Sequence, residues 1–373
     1  MRSVDRVVAT LYHEEPDKVP LVEGFAQPEA RDRFFTQHQK GKLDLLGSCS
    51  SELERKIKEA RWWGNDIISV WINAPNLLSK VIVHDPGRRG YTIVKEAWGS
   101  ITYTRRIPGF HIVLHSPIRY PEDLDRIEVP SLDEYEQKIT EISKKIKTYK
   151  EAGFFVEAFH NGPFVMTWHR LRGLTAFLKD IVRDPAFAKK LVDFAMSRQL
   201  ELTKAIIDEA KPDAIRLGND MGTTQSLFFS PKAYKEIFNP WEKRLVQEYH
   251  KKGVFVFHHC HGNINLILKD MVETGIDAID PLDPHDGINL AEVKEKYGDK
   301  ITLRGGMSKY IGTYNRNQIY EHVSDRIRTA APGGGYIISS SAGLPTEMPK
   351  ENVLFYRETV NNLRKYNTLK IKN

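Results

Sequence analysis

The densest concentration of chemically capable side chains is the run His258-His259-Cys260-His261. A borderline metal such as zinc prefers imidazole and thiolate donors. The run follows a β-branched and aromatic stretch, so strand alternation decides which of its members can act together. Residues 259 and 261 point to one side, 258 and 260 to the other. His259 with His261 is therefore a plausible chelating pair, while Cys260 turns into packing. A single catalytic histidine without metal accounts for the run nearly as well. Similar polar residues follow other short apolar runs: Glu23, Asn73, His160-Asn161, Asn219-Asp220, Asp280, Asp283, Arg304 and Ser339-Ser340-Ser341. Each alone has a bland reading, since core histidines are usually hydrogen-bonded and an Asp beside Gly or Pro usually shapes a turn. Their coincidence at the ends of successive runs points to one functional face.

The runs that must position them alternate with amphipathic helices, as parallel βα units do. They span residues 19–24, 66–72, 154–160, 214–220, 254–260, 278–283, 301–306 and 336–341. Eight such units predict a (β/α)8 TIM barrel, a single domain over 1–373, in which loops after the strands carry the chemistry. Ile264, Ile267, Leu268, Met271 and Val272 form a helical stripe that Gly275 ends. Ser230-Pro231 opens a helix of about twenty residues that Lys251-Lys252-Gly253 closes. A helical extension precedes the barrel, and the alternating segments 80–85, 91–96 and 101–106 predict a β-hairpin insertion after the second strand. Gly333-Gly334-Gly335 precedes a strand and reads as a turn, because it cannot offer helix N-terminal N–H groups to phosphate.

Composition excludes several classes. Of 373 residues 40% are hydrophobic and 28% charged, the balance of a folded globular chain. No window of about 20 apolar residues predicts a membrane span, and the start Met1-Arg2-Ser3-Val4-Asp5-Arg6 lacks a signal peptide's apolar core. A cytoplasmic location is expected, in keeping with only two cysteines, Cys49 and Cys260. The charge of +6 comes from 55 basic residues spread among 49 acidic ones. The densest basic groups, Arg88-Arg89, Arg105-Arg106 and Lys144-Lys145-Ile146-Lys147, match no nucleic-acid-binding pattern.

Several segments together carry a family resemblance. They are Arg6-Val7 through Glu15-Pro16-Asp17-Lys18-Val19-Pro20, Leu171-Arg172-Gly173 with Leu178-Lys179-Asp180 and Asp184-Pro185, and Asn219-Asp220-Met221-Gly222 with Ser230-Pro231. His259-Cys260-His261-Gly262-Asn263 and Gly343-Leu344-Pro345 leading to Pro349-Lys350-Glu351-Asn352-Val353 complete the set. The chain resembles the uroporphyrinogen decarboxylase superfamily, which includes the decarboxylase and corrinoid-dependent methyltransferases. The decarboxylase branch carries an arginine-containing segment after the first strand where this chain has Glu23-Gly24-Phe25-Ala26-Gln27-Pro28. By the same resemblance its catalytic aspartate is matched by Asn73. The resemblance thus argues against porphyrinogen decarboxylation. Thiol-methylating members bind zinc through a His-X-Cys pair and a later cysteine; here His259 and His261 occupy the pair and Ala342 replaces the last cysteine.

The resulting expectation is a methyltransferase that moves a methyl group from a small methylated substrate, such as a methoxylated aromatic acid, to the Co(I) of a separate corrinoid protein. Zinc is expected on His259 and His261 with Glu23 or Asp220 as third ligand. Two imidazoles and a carboxylate would leave it more Lewis-acidic than thiolates do. His160, Asn219 and Asp220 are the expected catalytic residues. Phe25, Trp71, Phe164 and Trp168 could sandwich a ring, Asn73 could contact substrate, and Arg304 could pair with its carboxylate. The resemblance also suggests a homodimer. The competing readings are a metal-free decarboxylase or lyase using His160, Asp220 and Arg304, and a non-catalytic binder of a tetrapyrrole or aromatic ligand.

Overall fold

A computed structural model describes residues 1–39, 46, 49–87, 90–105 and 110–369; Arg88, Arg89 and Arg106 lie outside them. Three helices come first: α1 (Ser3–Leu11), α2 (Pro28–Gln39) and α3 (Glu52–Trp63). Strand β1 (Ile67–Trp71) then begins a parallel sheet, interrupted by β2 (Lys80–Asp85), β3 (Tyr91–Lys95), β4 (Ile101–Arg105) and β5 (Phe110–His115). The sheet resumes with β6 (Phe155–Asn161), β7 (Ala214–Gly218), β8 (Phe255–His259), β9 (Ala278–Asp280), β10 (Thr302–Arg304) and β11 (Tyr336–Ile337). Its spatial order is β1-β6-β7-β8-β9-β10-β11, every pair parallel, so chain order and spatial order coincide.

The seven strands curl until their edges meet on residues 20–22. Ile338 N–H donates to Pro20 O at 2.9 Å and Val22 N–H to Ile338 O at 3.0 Å. On the opposite side Asp66 N–H donates to Leu21 O at 2.7 Å. The first run therefore completes a TIM-like barrel as a bridge of a few residues, where the sequence predicts a full strand. The hairpin expected over 80–106 is also different: β2 to β5 form a four-stranded antiparallel meander. Its last strand, β5, escapes the pattern because its hydrophobic Ile112 and Leu114 remain exposed.

The helix opened by Ser230 is present, with the Ser230 hydroxyl accepting from Ala233 N–H, and it passes through a π-turn at Tyr234–Phe238 before ending at His250. The helix expected from Ile264 starts only at Leu268. Lys144, Lys145 and Lys147 project into solvent from the helix Leu132–Glu151. No helix among the described residues is long and apolar enough to cross a membrane.

Inside the barrel the side chains stack in layers. The lowest is apolar: Ile67, Phe155, Ala214, Phe257, Ala278 and Ile337 pack with Val7 and Leu11 of α1, which stops the lower end. Outside the sheet a larger hydrophobic cluster joins strands to helices. Asp66 fastens the closing segment to this base. Its buried carboxylate accepts from Arg6 Nη1 at 2.5 Å, Arg364 Nη1 at 3.1 Å, Ser3 Oγ at 2.8 Å and Leu21 N–H at 3.0 Å. Three segments distant from Asp66 in sequence, α1, the closing segment and the chain around Arg364, thus converge on one side chain.

Removing one member of such a buried ionic set strands the others without a partner, at a cost of about 3–5 kcal/mol. Asp66→Ala is expected to lose that much in urea unfolding, and Asp66→Asn less, because its amide oxygen still accepts from Leu21 N–H. A loss below about 1 kcal/mol in Asp66→Ala would show that closure does not depend on the carboxylate.

Candidate functional site

Above the apolar layer, strand alternation turns a set of ionic side chains inward. Glu157 of β6 is fully buried and accepts from Arg304 Nη1 at 2.7 Å, with Ser69 Oγ donating to its other oxygen. Burial opposes the charge of Glu157, but Arg304 and then Arg216 outweigh it and hold the carboxyl below its ordinary range. Arg216 of β7 forks onto Asp280 at the end of β9, Nε donating to Oδ1 at 2.9 Å and Nη2 to Oδ2. Burial would raise the Asp280 carboxyl too, yet Arg216, then His259 and Arg304, keep it well below the usual carboxylate range. Two cations and two anions thus neutralise one another in the barrel floor.

His259 stands on this floor. Its Nδ1 lies 2.7 Å from both Asp280 Oδ2, which only accepts, and Arg216 Nη2, which only donates, so the contacts admit the proton on either ring nitrogen. Its Nε2 faces Asp220 Oδ1 at 3.7 Å. Burial, reinforced by the Arg216 charge, lowers the affinity of His259 for a second proton.

His261 is a ring-width away, 4.8 Å between centroids at 89°. Its Nδ1 faces Asp286 Oδ2 at 3.7 Å, and its backbone N–H donates to Asp220 Oδ1 at 2.9 Å. Burial lowers its pKa, but Asp286 first and then Asp220 and Asp280 more than offset this, so the balance is raised above an ordinary histidine. Asp286 stays ionised because Lys309 Nζ, at 2.8 Å, and Gly262 N–H, at 3.1 Å, both donate to it. The loop carrying His261 is pressed against the one carrying Asp220. Gly262 has φ +101°, and a Cβ there would sit 2.5 Å from the Gly222 carbonyl carbon, so only glycine permits this approach.

These groups open into a cavity of about 780 Å³ at the strand ends. Glu23, Phe25, Trp71, Phe159, Asn161, Asp220, His259, His261, Arg304 and Ser339 to Ser341 line it. Trp71 is 60% exposed and lies edge-on to Phe159 with centroids 4.2 Å apart, an aromatic platform at the mouth. Phe25 joins the cavity to an aromatic cluster through Trp63, 5.4 Å away.

Other expected site residues face the opposite side of the sheet. His160 is fully buried between sheet and helices, its Nδ1 on Asn161 O at 2.8 Å and its Nε2 on Tyr249 Oη at 2.9 Å. Asn219 uses Oδ1 to accept from Phe164 and Val165 N–H, at 2.8 and 3.2 Å, and Nδ2 to donate to Glu242. Both hold scaffold in place and touch no cavity. Asn73 accepts from Asn161 N–H at 2.6 Å and also lies outside the cavity. Trp168 stacks on His169 against the core, and Phe164 is fully buried among Phe177, Phe229 and Phe238. Arg304, bound by Glu157, is already neutralised where a free carboxylate anchor was expected. His258 turns onto Glu242 and Cys260 is buried in the same outer layer.

The expected zinc set is likewise not assembled. Glu23 is occupied by four donors: Tyr356 Oη at 2.6 Å, Ser340 N–H and Gly24 N–H at 3.1 Å each, and the Ser340 hydroxyl. Among the described residues no three His, Cys, Asp or Glu side chains converge as ligands, and His259 and His261 have only Asp220 nearby on the cavity side. This donor arrangement does not fit the ion. The site residues missed in the sequence are Glu157, Arg216 and Asp286, with Asp280 noticed only as a strand-end acid. Parity supplies their signal, since 157, 159 and 161, like 216, 218 and 220, share one face of a strand.

The sequence profile described as Uroporphyrinogen decarboxylase (URO-D) matches residues 92–363. The chain belongs to the uroporphyrinogen decarboxylase family. It is 21% identical over 260 residues to the uroporphyrinogen decarboxylase of Nostoc punctiforme, covering 67% of this chain and 70% of that protein. The Vibrio cholerae uroporphyrinogen decarboxylase is 23% identical over 265 residues, covering 68% and 72%. A methyltransferase from Methanosarcina mazei superposes with a TM-score of 0.68 at 17% identity, over 97% of this chain and 99% of that one, which establishes a shared fold.

In this uroporphyrinogen decarboxylase family member, burial, followed by the charge of Asp220, pushes the Cys260 thiol well above its usual range. Only the thiolate is nucleophilic. Iodoacetamide at pH 8 followed by peptide mapping is expected to leave Cys260 unmodified in native protein and to alkylate it in urea. Rapid native alkylation at Cys260 would mean that the strand turns this side chain into the cavity.

Proposed function

We propose that the protein is a methyltransferase that removes a methyl group from an oxygen of a small methoxylated aromatic acid and passes it to the Co(I) of a corrinoid carried by a separate protein. The observation that carries this reading is the placement of two adjacent imidazoles at one cavity wall, His259 on the Arg216–Asp280 pair and His261 facing Asp286. His259 is biased towards the neutral form and His261 towards the protonated form. Titratable neighbours pushed apart in this way divide into a base and an acid.

Ether cleavage needs such an acid, because an unassisted phenolate or alkoxide is a poor leaving group. The acceptor corrinoid supplies the attacking electron pair; this chain's part is to hold the ring and manage one proton. The ring packs against Trp71 and Phe159. As the methyl carbon–oxygen bond breaks, the bond's electrons stay on oxygen and His261 donates its proton there, so the product leaves as a phenol. The His259 and His261 rings stand 4.8 Å apart, so His259 can pass a replacement proton to His261 through a bridging water. The open mouth gives the partner's cofactor access to the methyl group. A metal-free decarboxylase built on His160, Asp220 and Arg304 is less well supported, since His160 lies behind the sheet and Arg304 is bound by Glu157.

Mixing the protein with a reduced corrinoid protein and a methoxylated benzoate is expected to methylate the corrinoid, read from its absorption spectrum, with one phenol released per methyl transferred. The rate should fall as pH rises through the raised His261 pKa, and fall again in acid as His259 becomes protonated. His261→Ala is expected to slow transfer by about 10²–10⁴-fold and to remove the alkaline limb. The reading fails if methyl ethers, methanol and methylamines all leave the corrinoid unchanged while a carboxylated substrate releases carbon dioxide. Stoichiometric zinc in protein purified without chelator, lost in His261→Ala, would replace the proton donor with a metal.

A further inference from the structure

With Arg216 on Asp280 and Arg304 on Glu157, the floor offers no spare cation to an acidic ligand. The wall formed by α3 does. Glu52, Lys56 and Glu59 occur at positions i, i+4 and i+7 and all line the cavity, as does Arg31 of α2. Glu52 is engaged by Arg55, and Arg31 by Asp32. Among the described residues Glu59 has no ion pair, and burial above all biases its carboxyl towards the neutral form. Lys56 donates one hydrogen bond, to Ser69 O at 2.8 Å, and among the described residues no carboxylate lies within ion-pair distance of its ammonium. Burial above all disfavours that charge, and Glu59, Glu52 and the Tyr149 ring, 5.9 Å from the ammonium, support it only through space, so a hydrogen-bonding anion would add what they lack. Two of its three donors remain for a ligand.

A second polar group in the same cavity lacks a partner. Ser341 Oγ is buried, lines the cavity and makes no hydrogen bond. Such an atom costs about 1–3 kcal/mol when left unmade. The cavity is therefore finished on its catalytic side and unsatisfied in two polar groups elsewhere, the pattern of a site whose ligand brings oxygens of its own.

We propose that Lys56 is the anchor for the substrate's carboxylate, the specificity-determining cation of this cavity, with Ser341 hydrogen-bonding a second ligand oxygen. The inference rests on the proposed function for the methyl donor's identity as an acid, but the anchor itself is a binding property. Lys56 is held against β1 through Ser69 O and shares the cavity with Trp71 and His261, so a ring lying on the indole can direct its acidic substituent to α3 and its ether oxygen to His261.

The test measures binding separately from turnover. Each carboxylate of a panel, methoxylated and unmethoxylated benzoates together with short aliphatic acids, is titrated beside its neutral amide by calorimetry and by quenching of tryptophan fluorescence. Wild-type protein is expected to prefer acids over amides. Lys56→Met keeps the aliphatic stem and should weaken acid binding about tenfold or more while leaving amides unchanged. Lys56→Arg should retain most of the preference, and Ser341→Ala should weaken acid and amide alike. Equal binding of acid and amide by the wild type would overturn the anchor, as would unchanged acid binding in Lys56→Met, with circular dichroism confirming that the variant is folded. If the acid preference depends on Lys56 but no corrinoid is methylated, the anchor stands and the reaction assignment falls. If methyl transfer proceeds in Lys56→Met with unaltered KM, the reaction stands and the anchor falls.

Discussion

A guanidinium inside a barrel must be matched by a carboxylate, and here two such matches, Arg304 with Glu157 and Arg216 with Asp280, fill the layer between apolar base and open cavity. Desolvating four charges is tolerable only because each is answered at hydrogen-bonding distance. The rest of the site inherits this arrangement. Asp280, kept ionised by Arg216, holds the His259 ring by its Nδ1 edge and so turns Nε2 towards Asp220. Glu157, by binding Arg304, removes the obvious anion receptor from the strand ends. What remains reactive is what the floor does not use: His261 and Asp220 on one wall, Trp71 and Lys56 on another.

Alternation explains both what the sequence discloses and what it hides. The eight apolar runs mark the barrel because their β-branched and aromatic residues recur between amphipathic helices, and the run 258–261 separates correctly into His259 and His261 facing in, with His258 and Cys260 facing out. The same period of two, extended to β6 and β7, selects Phe159, Arg216 and Asp220 and sets aside His160 and Asn219. Attention to residue type alone favours the histidine and the asparagine, which in fact bond to Tyr249 and to the start of the helix Pro163–Thr167. Hydrogen-bond saturation is less accessible still. That Glu23 is spent on Tyr356 and Ser340, over three hundred residues away, and Arg304 on Glu157 cannot be read from spacing, because those contacts exist only once the barrel has closed.

The meander shows a related limit. Strands β2 and β5 expose apolar residues, among them Val81, Ile82 and Leu114. Strands without a buried face lose the alternation that betrays a half-buried one, so their number is hidden even where their presence is plain.

The closing segment has a consequence for how such barrels diversify. Residues 20–22 join the two sheet edges through a handful of backbone bonds, and the stretch immediately after them, Glu23 to Pro28, forms one wall of the cavity. Backbone bonds are indifferent to side-chain identity, and the attachment to the base is made by Asp66 from outside the segment. The exposed positions Ala26 to Pro28 can therefore be rewritten without disturbing the register of any of the seven strands, whereas Glu23 and Phe25 are tied to Tyr356, Ser340 and Trp63. A lineage can in this way change the ligand its barrel admits by substitution in one short stretch while conserving the architecture that folds it.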